Sequence, residues 1–73
     1  MKEYETVNLY TIYDTAAERS APVFESVNDA TAARSTRQWL KDQLVADYAL
    51  FWVGTRDIST GRLTAGDPRN VVL

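Results

Sequence analysis

Tyr48-Ala49-Leu50-Phe51-Trp52-Val53-Gly54 is the stretch that decides the fold. Aromatic and β-branched side chains suit a pleated, half-buried surface, so residues 48–53 read as a strand. Gly54 marks its end or a bulge. Asp57-Ile58-Ser59-Thr60-Gly61 follows as a turn, with Gly61 supplying a positive φ. Residues 62–65 then return as a short strand. Gly66-Asp67-Pro68 is a second break, and Val71-Val72-Leu73 is expected to dock as a short edge segment.

Upstream of this hairpin lies a helix signal. Asn28 or Asp29 can cap it, because a side-chain oxygen there accepts from the first free N–H groups. Over residues 30–44, Ala33, Thr36, Leu40 and Leu44 recur at helical spacing and form the buried stripe. Trp39 lies on one flank. Arg34, Arg37 and Lys41 share the other, with Asp42 on a different part of the surface. Before the helix, residues 23–27 read as a strand with Pro22 at its entrance, where a missing N–H does least harm. Residues 14–22 read as a loop. Residues 7–14 read as a central strand with Val7, Leu9, Thr11 and Tyr13 on one side and Asn8, Tyr10, Ile12 and Asp14 on the other. The order is β-β-α-β-β with a short C-terminal segment: an α+β fold in which one helix covers one face of a small antiparallel sheet.

The chain has 73 residues, so a single domain spanning 1–73 is expected, with residues 1–5 flexible. A chain this short buries only about 60% of its unfolded surface. It has no cysteine and no histidine, which removes disulfides, the usual zinc and copper ligands, and any Ser–His or Cys–His nucleophile. Association with a second copy is the remaining common remedy for small size, and a homodimer is expected. The net charge of −2 argues against a generic binder of nucleic acid or anionic membrane. No apolar run reaches spanning length and the N-terminus is not a signal peptide, so action in the cytoplasm where the chain is made is expected.

Chemistry is read mostly from absences. The three glycines all fit turns, so there is no phosphate-cradling loop. Asp14 and Asp57 each follow a strand, where Asp stabilises a turn through its own side chain. No enzyme, cofactor, metal or small-molecule substrate is expected. Arg34, Arg37 and Lys41 are spaced to form one ridge that could follow a phosphate backbone; the plainer reading is a solvated flank whose stems cover the core edge. If Phe51 and Val53 face the helix, Trp52 and Leu50 face away, and Trp52, Leu50 and Tyr10 become candidates for a contact surface or for stacking with bases.

These words in this order resemble the small nonstructural protein of the microviruses, tailless single-stranded-DNA phages, especially the gokushovirus-like group. The resemblance rests on Leu9-Tyr10-Thr11-Ile12-Tyr13-Asp14, Pro22-Val23-Phe24, Asn28-Asp29-Ala30, the strand from Tyr48 to Gly54 and the turn from Asp57 to Gly61. It covers nearly the whole chain. Val23 between Pro22 and Phe24, and Trp52 where a polar or basic residue is common, depart from that pattern. The resemblance implies a protein of the infected bacterium that assists replication of a single-stranded genome, through DNA or the replication machinery. It carries over no catalytic residue. The alternative from the residues is a module that captures a host or phage protein through the uncovered sheet face without touching DNA.

Overall fold

A computed structural model describes residues 5–41 and 43–73. Strand β1, Thr6–Asp14, and strand β4, Tyr48–Asp57, pair antiparallel along their whole lengths and form the spine of the sheet. On the other edge of β1 lie two short pieces, β2 (Arg19–Ser20) beside Tyr13 and Asp14, and β3 (Phe24–Ser26) beside Asn8 to Tyr10. Between them Ala21 still donates its N–H to the Ile12 carbonyl at 2.8 Å. Pro22 has no N–H to give, and the ladder lapses there. Residues 19–20, expected in a loop, therefore resume pairing with β1 before the break. Strand β5, Leu63–Val71, pairs with the outer edge of β4.

Helix α1, Asp29–Leu40, lies on one face of this sheet. Asn28 caps it, accepting from the Thr31 N–H at 2.8 Å. Ala32, Ala33, Thr36 and Leu40 are buried, and the Thr36 hydroxyl donates to the Ala32 carbonyl at 2.8 Å. The helix is shorter than its apolar spacing predicts. Lys41 takes a φ of 52° and closes the last turn by donating its N–H to the Arg37 carbonyl. Leu44 consequently falls outside the helix and is 70% exposed. The chain doubles back through a short turn, Val45–Asp47, whose Asp47 carbonyl accepts from the Thr15 N–H and hydroxyl at 3.0 and 2.9 Å. A helix reaching Leu44 would leave too little chain to make that return.

The sheet is turned over relative to the expectation. Leu50 and Trp52 face the helix, together with Tyr10 and Ile12, while Phe51 lies on the opposite face with Leu9, Thr11 and Tyr13. Tyr10 and Leu50 are both 0% exposed. Residues 48–53 are apolar on both sides, so alternation alone separates two faces without saying which one is covered.

Strand β4 also runs past Gly54. Opposite Leu9 and Tyr10 stand Gly54 and Trp52, which leaves Val53 as the extra residue of a bulge. Gly54 sits there at φ 154°, and a Cβ would collide with the Thr64 carbonyl of β5. Opposite the same place β5 carries its own extra residues, Gly66, Asp67 and Pro68, between Ala65 and Arg69. The expected break is thus a bulge within one strand that continues to Val71. A Cβ on Gly66 would meet the Trp52 ring, so this glycine lets the strand lie against the indole.

The expected flexibility of residues 1–5 and the placement of Asp42 fall outside the described residues, except for Glu5. That residue is tied to the end of β4, its carbonyl accepting from the Ile58 N–H at 2.9 Å.

Candidate functional site

The helix presents the basic ridge to solvent. Arg34, Arg37 and Lys41 are all exposed, and none has a carboxylate partner among the described residues. Arg34 and Arg37 project from the last two turns of α1. Lys41 follows at its C-cap, beyond the regular helix. Cations near a helix C-terminus are favoured by the macrodipole, so this end holds positive charge without needing acidic neighbours. Two other arginines are committed inside the chain. Arg56 forms a two-pronged pair with Glu25, and Arg69 grips Asp29 through Nη1 to Oδ2 at 2.8 Å.

Trp52, Tyr10 and Leu50, expected as a contact or stacking set, are components of the covered face instead. The Tyr10 hydroxyl donates to Asp29 Oδ1 at 2.7 Å, and its ring lies 5.9 Å from that of Phe24. Trp52 donates its indole N–H to Asn8 Oδ1 at 3.0 Å, and the Arg69 guanidinium sits 5.3 Å above its ring. These contacts tie the start of α1 to β1, β4 and β5. They also shift the ionisation of Tyr10 and Asp29 in opposite directions. Burial, reinforced by the hydrogen bond to Asp29 and its charge, pushes the Tyr10 hydroxyl up to about 12. Arg69, and after it the Tyr10 hydroxyl, hold Asp29 below the usual carboxylate range.

The expected turn roles of the two strand-end aspartates are met. Asp14 Oδ1 accepts from the Ala16 and Ala17 N–H groups at 3.0 and 3.1 Å. Asp57 Oδ1 accepts from Ser59 and Thr60 at 2.8 and 3.1 Å.

Two surfaces remain open. One is a groove of about 310 Å³ between α1 and the β2–β3 edge, lined by Ile12, Ala21, Pro22, Phe24, Thr36 and Trp39. Trp39 stands at its rim, 62% exposed. The other is the sheet face away from the helix, where Leu9, Tyr13 and Phe51 are half-buried by their neighbours alone.

With this geometry in hand, comparison with known proteins places the chain. A family model described as Phage ORF5 protein matches residues 7–73. The chain belongs to that family. No curated protein and no solved structure shows a significant match. The match begins in β1 and runs to the last residue, so it spans the sheet, the helix and both bulges of this phage protein. Among its described residues no helix is long and apolar enough to cross a membrane.

In this phage protein the expected arrangement, with Phe51 and Val53 facing the helix, is reversed: the register places Leu50 and Trp52 on the covered face and Phe51 on the open one. Strand β1 does not decide the orientation either: its covered side carries Asn8, Tyr10, Ile12 and Asp14, and its open side Val7, Leu9, Thr11 and Tyr13. The Asp29–Arg69 pair joins residues 40 positions apart, and nothing local announces it.

Proposed function

We propose that this phage protein is a non-enzymatic accessory factor of genome replication that holds single-stranded DNA against the exposed ridge of α1, in the cytoplasm of the infected host. Membership of a phage family supports the setting. The resemblance to microvirus nonstructural proteins supports a single-stranded genome as the object. The observation that carries the reading is a contrast among the cations. Arg56 and Arg69 are paired with carboxylates of the chain, while exposed Arg34, Arg37 and Lys41 follow one another at spacings of three and four residues with no carboxylate partner among the described residues; Arg19 and Arg62 also lack one there but lie apart in the sequence. Three such charges can replace counterions along a phosphate backbone, a sequence-independent contact whose strength falls as salt rises. Of the candidate stacking residues, Tyr10 and Leu50 are closed inside the core and Trp52 is engaged by Asn8 and Arg69, so the grip would fall mainly on the phosphates.

The test is fluorescence anisotropy of labelled single-stranded DNA at two salt concentrations, beside a duplex control. Binding that prefers the single strand is expected. The variant Arg34→Gln/Arg37→Gln/Lys41→Gln should bind more weakly, with a log–log salt slope lower by about 2. Equal affinity in that variant removes the ridge from the reading. No binding at micromolar protein removes DNA altogether and leaves a protein of the replication machinery as the partner.

A further inference from the structure

We infer that the open face of the sheet is a homodimer interface, in which two copies pack Phe51 face to face about a two-fold axis. The proposal is independent of DNA and uses the surface opposite the helix ridge.

Area is the first argument. The chain exposes 5302 Å². A compact chain of 8.2 kDa is expected to present about 4,500 Å². The excess is several hundred Å², on the order of the ~800 Å² that each partner contributes to a standard interface. The molecule is elongated, 44 × 21 × 16 Å, and one side of its sheet is covered by α1 while the other is bare.

Composition is the second argument. Strand alternation places Val7, Leu9, Tyr13, Ala49 and Phe51 on the bare side, with Leu63 of β5 beside them. Two charges on that side, Glu25 opposite Leu9 and Arg56 opposite Val7, pair with each other. A pair already matched in this way can be dehydrated without stranding either ion. Phe51 lies mid-strand between Thr11 and Asn70, so a two-fold axis near it brings the same apolar patch of each copy together.

The edges supply the third argument, by exclusion. A second copy could instead extend the sheet by strand pairing, but each edge carries one of the chain's two prolines. Pro22 divides β2 from β3, and Pro68 lies in the bulge of β5. Broken and bulged edges are how sheets avoid edge-to-edge association. Face-to-face packing of two sheets is the arrangement left, and it sets the two helices on the outer sides.

Sedimentation velocity across micromolar concentrations tests this. The unmodified chain should sediment as a dimer, and its thermal midpoint should rise with concentration. Phe51→Lys and Ala49→Arg, which put an unpaired charge at the centre of the contact, should each weaken the dimer ~100-fold or more with native circular dichroism. Trp39→Lys, in the helix-side groove, should leave it intact. An intermolecular nuclear Overhauser effect from the Phe51 ring, in a sample mixing labelled and unlabelled copies, reads the contact without any substitution. A monomer with a concentration-independent midpoint overturns the inference. A dimer that survives both face variants, one that is lost in Trp39→Lys, or one that lacks the Phe51 effect also overturns it.

Discussion

The two faces of the sheet are built from the same strands and nearly the same amino-acid types, yet only one of them is a core. On the covered face Tyr10, Ile12, Leu50 and Val71 meet Ala32 and Ala33 of the helix and lose almost all contact with water. On the open face Leu9, Tyr13 and Phe51 are shielded only by their neighbours in the sheet. The difference lies in what the polar groups do. Around the covered face Asp29, Arg69 and the Tyr10 hydroxyl satisfy one another between elements, and Asn8 accepts from the Trp52 indole. Around the open face Glu25 and Arg56 bridge neighbouring parts of one sheet and hold nothing above it. A face becomes a core when a second element both fills it and closes its polar rim.

The sharpest way to break this comparison is to truncate one residue on each side of β4. Leu50→Ala should cost about 3 kcal/mol, from lost burial plus the cavity left behind. Phe51→Ala, measured by urea denaturation at concentrations where the chain is monomeric, should cost about 1 kcal/mol. Equal losses would mean that Phe51 is as enclosed as Leu50.

A smaller effect isolates the polar rim. Tyr10→Phe removes the hydrogen bond to Asp29 and should cost about 1 kcal/mol at neutral pH. It should also change the alkaline limb of the stability curve. The Tyr10 hydroxyl is held at about 12 in the folded chain, so its contribution is complete below the ordinary tyrosine value near 10 and fades as pH rises towards 12. Denaturant midpoints followed from neutral to alkaline pH should fall less steeply in Tyr10→Phe than in the unmodified chain. Parallel curves would deny the buried hydroxyl this role.

The smallest effect compares the two ion pairs. Both are partly exposed, so neither should dominate stability. Arg69 additionally lies over Trp52 and holds Asp29 at the helix start. Arg69→Gln should therefore lower the thermal midpoint by about two degrees, and Arg56→Gln by less, both differences shrinking in high salt. Asp29 is held below its usual range, so its contribution is present above the ordinary carboxylate value and lost as pH falls through the lowered one. The gap between Arg69→Gln and the unmodified chain should close in acid. A gap unchanged by acid or salt would point to lost packing on Trp52 instead.

Much of the fold was legible because it is encoded locally. The Asn28 cap, the Asp14 and Asp57 turns, the place of Pro22 just before a strand and the positive φ of Gly61 each depend on a side chain and its near neighbours. Three things were not legible, and all depend on distant partners. The helix ends at Lys41 because the chain must return to the Thr15–Asp47 contact. The orientation of β4 depends on which side of β1 receives the helix. The run through Gly66-Asp67-Pro68 reads as a break by composition, and becomes one bulged strand only because the bulge at Val53 faces it. Of the candidate site, the exposure of Arg34 and Arg37 was recognisable from spacing on a helix, whereas Lys41 falls at the C-cap beyond it. The inward turn of Trp52 was not recognisable, because its partners Asn8, Gly66 and Arg69 are scattered along the chain.

The bulge at Val53 acts as a phase shift written into β4. Before it, even-numbered residues such as Leu50 and Trp52 point to the helix; beyond it, even-numbered Arg56 points the opposite way, beside Val7 and towards Glu25. One inserted residue thus lets a single strand serve two reading frames of inside and outside. Loss of Val53 would bring Trp52 and Gly54 into consecutive register with Tyr10 and Leu9 and keep both frames. Loss of Phe51, one pleat earlier, would throw half the strand inside out.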